Sequence, residues 1–305
     1  MAAEPKYRAE NVGDWGVPIA AAGGVYGIDS LTMADSTTIF VRFWQAADPT
    51  APVLVLAHGL GAHTGWFIDM GNELNARGLT VYMNDHRGFG RSGGPRGHVR
   101  RGAVYLDDLS QVVDEVRKRR PGAPLFLLGH SMGAIFALHT AARDAAGAKA
   151  RLNGLILVNP WVRDFAKVTP GLALRVFGGG LLGSSQLVRA SGGPEVMTAS
   201  EEATAMLNAD SFWVRAQSAA FLLQVTRLRT QMLRLAGAVR IPALVIQSEQ
   251  DRSVVPAASR RAYEALGSAD KTWKSYPVYA HDFEFEPARA QLDDDLADWI
   301  MRHRA

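Results

Sequence analysis

A chain of 305 residues is long enough for one large α/β domain or two smaller ones, and 48% hydrophobic against 21% charged residues is the balance of a soluble globular protein. It contains no cysteine, which excludes disulfides, zinc–thiolate sites and thiol nucleophiles. Lys+Arg 33 against Asp+Glu 30 is too even for a nucleic-acid surface.

In chain order, the first sixteen residues are polar and lack the apolar core of a signal peptide, and no later stretch is long and apolar enough to span a bilayer. A cytoplasmic location is therefore expected. Val25 to Met33 and Thr37 to Trp44 alternate on either side of Ala34-Asp35-Ser36, which predicts an antiparallel hairpin. Val53 to Ala57 is a continuous apolar run, the pattern of a strand covered on both faces. A helix over Phe67 to Ala76, closed by Arg77-Gly78, precedes a strand over Leu79 to Met83. Leu106 to Arg119 places Leu106, Leu109, Val112, Val113 and Val116 on one helical face. Its basic end, Arg117-Lys118-Arg119-Arg120, complements the helix dipole.

The apolar run from Pro124 to Leu128 reads as a strand, Met132 to Ala142 as a buried helix, and Leu155 to Val158 as a further strand. From Pro160 to Val239 the alternation lapses into helical or irregular sequence, before Ala243 to Ile246 resumes the strands. A helix over Ala258 to Leu266, a strand over Thr272 to Pro277 and a last helix over Pro287 to Arg302 follow. Alternation of this kind predicts an α/β fold with a mostly parallel central sheet and helices on both faces. The core is expected over residues 1–159 and 240–305, with a helical cap inserted at 160–239 over the strand ends.

Between strand and helix lies Gly129-His130-Ser131-Met132-Gly133, a G-x-S-x-G pattern in the context of a nucleophile elbow. A serine hydroxyl needs a base within hydrogen-bond reach, itself oriented by a carboxylate, and on an elbow of this kind the chain order is serine, acid, histidine. His281 follows a strand, whereas His139 falls inside the elbow helix and His303 in the tail. Asp251, at a turn before the next helix, is the preferred acid. Glu249 is the alternative, and Asp282 is badly oriented for the imidazole beside it. The oxyanion of acyl transfer needs two main-chain donors. Met132 supplies one, and Leu60 in His58-Gly59-Leu60-Gly61 the other, unless that stretch is a simple strand-to-helix turn.

On these motifs the chain resembles the α/β-hydrolase superfamily, and within it the monoacylglycerol lipase and lysophospholipase-like branch. Ala62-His63-Thr64-Gly65-Trp66, the run from Asp85 to Gly93 and Arg96-Gly97-His98 add to the resemblance, which spans roughly residues 28 to 303. It implies Ser131 as nucleophile, His281 as base, Asp251 as orienting acid and the Leu60 and Met132 amides as oxyanion hole, with no cofactor and no metal. It further implies a serine ester hydrolase that cleaves acylglycerols to fatty acid and glycerol through an acyl-enzyme. Carboxylesterase, lysophospholipase, thioesterase, polyester, amide and peptide cleavage suit the same triad, and a non-catalytic ligand-binding protein is the alternative of another class. The chain departs from the branch at Ala62, often acidic, at Phe89, often histidine, and at Asp210-Ser211-Phe212, usually Asp-Pro-Leu. These departures bear on substrate rather than on catalysis.

Gly88-Phe89-Gly90-Arg91-Ser92-Gly93 matches the dinucleotide fingerprint, but Gly94-Pro95 stands where a helix would have to receive the pyrophosphate. No H-E-x-x-H or comparable metal spacing occurs. Val168 to Leu187 is rich in leucine with Arg175 as its one charge, which predicts packing against the core, or else an acyl-chain tunnel or a face for transient contact with lipid.

Overall fold

The most apolar runs of the chain occupy the middle of one sheet, where both faces are covered. The computed structural model describes residues 26–147, 151–165, 169–189, 193–277, 280–286 and 289–304. The expectations for the first sixteen residues, Val25, Val168, Tyr279 and Pro287 lie outside the described residues. The chain opens with β1 (Gly27–Thr32), β2 (Thr38–Trp44), β3 (Val53–Ala57), α1 (Ile68–Ala76), β4 (Thr80–Asn84), α2 (Ala103–Arg119), β5 (Leu125–His130), α3 (Met132–Ala146) and β6 (Gly154–Val158). An excursion follows, made of α4 (Pro170–Leu181), β7 (Leu187–Arg189), α5 (Pro194–Met197), α6 (Glu201–Ala209), β8 (Ala216–Ser218), α7 (Ala219–Arg229) and α8 (Met232–Ala236). The chain then returns with β9 (Ala243–Ser248), α9 (Pro256–Ala265), β10 (Lys271–Tyr276) and α10 (Arg289–Arg302).

The eight-stranded sheet runs β1-β2-β4-β3-β5-β6-β9-β10. The expected hairpin pairs β1 with β2, β2 lies antiparallel to β4, and all further pairings are parallel. Successive side chains of a strand point to opposite faces, so β3 feeds two cores. Val53, Val55 and Ala57 pack with α2 and α3, while Leu54 and Leu56 pack with α1 and α10. From β3 the chain passes first to β4 on one side and then to β5 on the other. The sheet's switch point therefore lies between β3 and β5, where a crevice opens beyond the strand ends. Ala57 at the end of β3 is in register with Gly129 on β5, which brings the loop at His58 beside Ser131.

Several elements differ from expectation. A 3-10 turn over Thr64–Phe67 precedes α1, because His63 caps it by accepting from the Gly65 amide at 3.0 Å. The helix starts earlier in α2 and ends later in α3 than the apolar spacing alone predicts. The excursion is not purely helical, since β7 and β8 form an antiparallel ribbon. Its last helices join the main core, with Phe221, Val225, Leu228 and Met232 in the same cluster as α2 and α3. No helix among the described residues is long and apolar enough to cross a membrane.

Candidate active site

Ser131 stands between β5 and α3 with φ 52° and ψ −112°, angles that a side-chain-bearing residue rarely takes and that cost on the order of 1–3 kcal/mol. Main-chain bonds hold it there: its amide donates to Val158 O at 2.9 Å, and its carbonyl accepts from Ala134 N and Trp161 N, both at 3.1 Å. The flanking glycines are sterically required. A Cβ on Gly129 would lie 2.5 Å from Ala134 Cα, and one on Gly133 2.0 Å from Ala57 O.

His281 follows β10 and turns its ring toward the elbow, with Nε2 at 2.9 Å from Ser131 Oγ. Its Nδ1 lies 2.7 Å from Asp251 Oδ2. Asp251 is anchored at the turn after β9, where its Oδ1 accepts from the Ser253 and Val254 amides at 2.7 and 2.8 Å. All three residues are buried. Glu249 is exposed and accepts instead from Ser275 Oγ, and His139 is paired with Leu228 O inside α3. Asp282 turns toward His130, whose Nε2 lies 3.5 Å from Asp282 Oδ1, and leaves the His281 ring to Asp251.

Electrostatics follow from this packing. Burial opposes charge on the His281 ring, but the charge and hydrogen bond of Asp251, with the charge of Asp282, outweigh it and raise the pKa to about 9. Burial likewise pushes the Asp251 carboxyl up, yet His281 and the two turn amides bring it below its ordinary value. Asp282 is pushed up, by burial first and by Asp251 and Glu286 after it.

The loop after β3 runs tightly past the elbow: a Cβ on Gly59 would stand 3.3 Å from Ser131 Cβ. Among the described residues, neither the Leu60 nor the Met132 amide donates to another backbone carbonyl. For Met132 the reason is its place as the first residue of α3, with no carbonyl one turn back. Leu60, Ala62, Trp66, Val196, Met197, Trp213 and Val214 line a pocket over Ser131 and His281, with Arg215, Gln217, Ser253 and Asp282 as its polar members. His130, His281 and Asp282 bring possible ligand atoms within 4.8 Å of one another. Both His281 nitrogens are already engaged, by Ser131 and Asp251, so the grouping offers a metal no complete ligand set.

One contact of the site was not expected from the sequence, although its residues lie in stretches named there. Asp210, between α6 and β8, accepts from Trp66 Nε1 at 2.8 Å and His63 Nε2 at 2.9 Å, tying the excursion to the loop after β3. Because His63 Nδ1 accepts from Gly65 N, its proton sits on Nε2, the correct side for Asp210. The run from Asp85 to Gly93 buttresses the same loop: Asp85 accepts from Thr64 N at 2.6 Å and Arg91 N at 2.7 Å, and Ser92 Oγ donates to Asp85 O at 2.6 Å. Its glycines serve this packing, as a Cβ on Gly90 would fall 2.1 Å from Asp85 Oδ2.

Residues 48–288 match the model of the family described as serine aminopeptidase, S33. The chain is 30% identical over 261 residues to the monoacylglycerol lipase of Mycolicibacterium smegmatis, covering 85% of this chain and 91% of that one. It is also 30% identical over 255 residues to the human monoglyceride lipase, covering 82% of each. Among solved structures, a soluble variant of the Saccharomyces cerevisiae monoglyceride lipase in complex with a substrate analog superposes with a TM-score of 0.82 at 20% identity, covering 94% of this chain and 98% of that one. The Paleococcus ferrophilus monoacylglycerol lipase gives a TM-score of 0.76 at 21% identity, covering 87% and 99%. With its mostly parallel sheet, its elbow and its matched length, the chain is an α/β-hydrolase and belongs to the serine aminopeptidase S33 family.

Proposed function

We propose that this protein is a serine ester hydrolase that cleaves monoacylglycerols to fatty acid and glycerol. Ser131 attacks the ester carbonyl while His281 takes its proton, and Asp251 holds the imidazole tautomer and steadies the charged ring. The Leu60 and Met132 amides receive the oxyanion. His281 then protonates the leaving alcohol and activates the water that releases the acyl group. The single observation that carries the reading is the chain of contacts Ser131 Oγ–His281 Nε2–Asp251, at 2.9 and 2.7 Å, in the wall of a pocket lined by both apolar and polar side chains. The substrate class is supported by the two lipase relatives at 30% identity.

Residues 160–239 form the cap in this reading. Its support is that Val196, Met197, Trp213 and Val214 contribute to the pocket wall. Contact with a lipid surface belongs to the same reading, supported by exposed Leu174, Phe177, Leu181 and Leu182. The test pairs fluorophosphonate labelling with a panel of monoacylglycerols, lysophospholipids, thioesters and aminoacyl amides, using Ser131→Ala as control. Labelling confined to Ser131 and fastest turnover on monoacylglycerols are expected. Turnover that survives Ser131→Ala would overturn the mechanism, and a preference for amides would overturn the substrate.

A further inference from the structure

We propose that Asn159 is a positioning residue, which through one side chain fixes both the backbone of the His281 loop and the end of the strand that leads to Asp251. The inference rests on the roles proposed above for His281 and Asp251. Asn159 directly follows β6, is fully buried and takes φ 43°, in the left-handed region that costs a residue with a side chain. Its Nδ2 donates to His281 O at 2.6 Å. Its Oδ1 accepts from Ser248 N at 2.7 Å, at the last residue of β9. Its own amide donates to Ile246 O at 2.9 Å.

The neighbours of Asn159 complete the frame. Val158 O accepts from the Ser131 amide, and the Trp161 amide donates to Ser131 O. The four-residue segment from Val158 to Trp161 thus bonds to the backbone of Ser131 on both sides, to the carbonyl of His281 and to the strand three residues before Asp251. The side chain at its centre must donate on one side and accept on the other. Asn does both with one amide group. Gly would accept the φ and make neither bond, and Asp would keep the acceptor for Ser248 while setting an oxygen against His281 O. His281 sits in a loop, so the ring contacts to Ser131 and Asp251 need a fixed backbone behind them. Asn159 supplies it, assisted by His130 Nε2 at 3.1 Å from the same carbonyl.

The test compares Asn159→Gly and Asn159→Asp with the parent enzyme on a soluble p-nitrophenyl ester. A base displaced by a fraction of an ångström loses alignment rather than substrate, so kcat is expected to fall by about 10–100-fold with KM changed less than about threefold. The downfield proton resonance of His281 Nδ1–H bound to Asp251 is expected to be sharp in the parent and broadened or lost in both variants. If Asn159→Gly does not fold, Asn159→Asp, which keeps the Ser248 bond, decides the matter. Parent-like kcat and a parent-like resonance, or a loss confined to KM, would overturn the proposal. A parent that neither turns over nor takes the fluorophosphonate would sink the hydrolase reading instead, and the resonance would still report on Asn159.

Discussion

On the His281 ring burial meets the opposing pull of two carboxyl groups, Asp251 first and Asp282 after it. Burial disfavours the charged form, and the carboxylate of Asp251 at 2.7 Å favours it strongly enough to bring the pKa to about 9. In the empty enzyme near neutrality the ring is therefore mostly protonated, and the fraction able to take the Ser131 proton grows as pH rises. We expect kcat/KM on a soluble ester to climb almost tenfold per pH unit through neutrality and to level off near pH 9. Asp251→Asn removes the larger favourable influence and leaves burial opposed by Asp282 alone, so the midpoint should fall well below that of the parent. The wrong tautomer should also lower kcat by about 10⁴-fold. A pH–rate profile for both proteins checks this, and an unmoved midpoint in the variant would show that Asp251 does not set the base.

The three residues that chain order selects meet in space because their signals are local: an elbow pattern, a turn after a strand, a histidine past the next strand. Asp210 had no such signal. Its partner His63 lies 147 residues away, and although both lie in stretches compared with the family pattern, nothing in either stretch links the two. The departure at Ser211 and Phe212 bears on substrate choice, whereas the retained carboxylate of Asp210 does the bonding. Burial raises that carboxyl, but His63 and Trp66 hold it below its ordinary value. Asn159 was equally silent, since an asparagine after a strand signals a turn long before it signals a bridge between two loops.

At the scale of elements, two glycines of α4, Gly179 and Gly180, face α7. A Cβ on Gly180 would lie 2.7 Å from Leu223 Cβ, so the glycine face lets α4 settle closely onto α7. The opposite side carries Leu174, Phe177 and Leu181, and Leu182 beyond the helix end is 87% exposed. Packing against the core, one expectation for this segment, does not account for these four side chains. The lipid contact proposed above would, since each aliphatic side chain contributes about 1.5–3 kcal/mol on leaving water. Leu181→Gln with Leu182→Gln is expected to lower turnover of emulsified monoacylglycerol by about tenfold or more, with less than twofold change on a dissolved short-chain ester. Equal losses on both would remove the lipid-contact reading.

The long helix α2 was legible because one-sided burial imposes a repeat, and β3 because burial on both faces makes it apolar throughout. The ribbon of β7 and β8 was not, since three residues are too few to establish an alternation. The early start of α2 depends on Gln224 of α7, whose Oε1 accepts from Gly102 N at 3.2 Å, a tertiary contact no local window contains.

For the molecule as a whole, the core is sealed on one face by α1 and α10, and sealing leaves an acid inside. Asp293 on α10 is buried, with Oδ2 at 3.2 Å from Arg289 Nε and no partner for Oδ1 among the described residues. Burial raises its pKa to about 7 against the pull of Arg289 and Arg77. The sign of its effect follows from linkage. A carboxyl that binds its proton more tightly in the folded chain makes stability fall as pH rises from about 4 to about 7, and above that the full cost is present. The cost is at most roughly 4 kcal/mol. Asn at this position has the shape of the protonated acid and cannot ionise. The melting temperature of Asp293→Asn should therefore match the parent near pH 4 and exceed it by several degrees at pH 8. His58 and His130, which burial holds neutral with pKa values near 3, destabilise both proteins alike in acid and cancel from the difference. Thermal unfolding of the two proteins across this range decides the point. If Asp293→Asn is less stable by the same amount at every pH, the Arg289 ion pair outweighs burial, and the sealed face is held by charge rather than in spite of it.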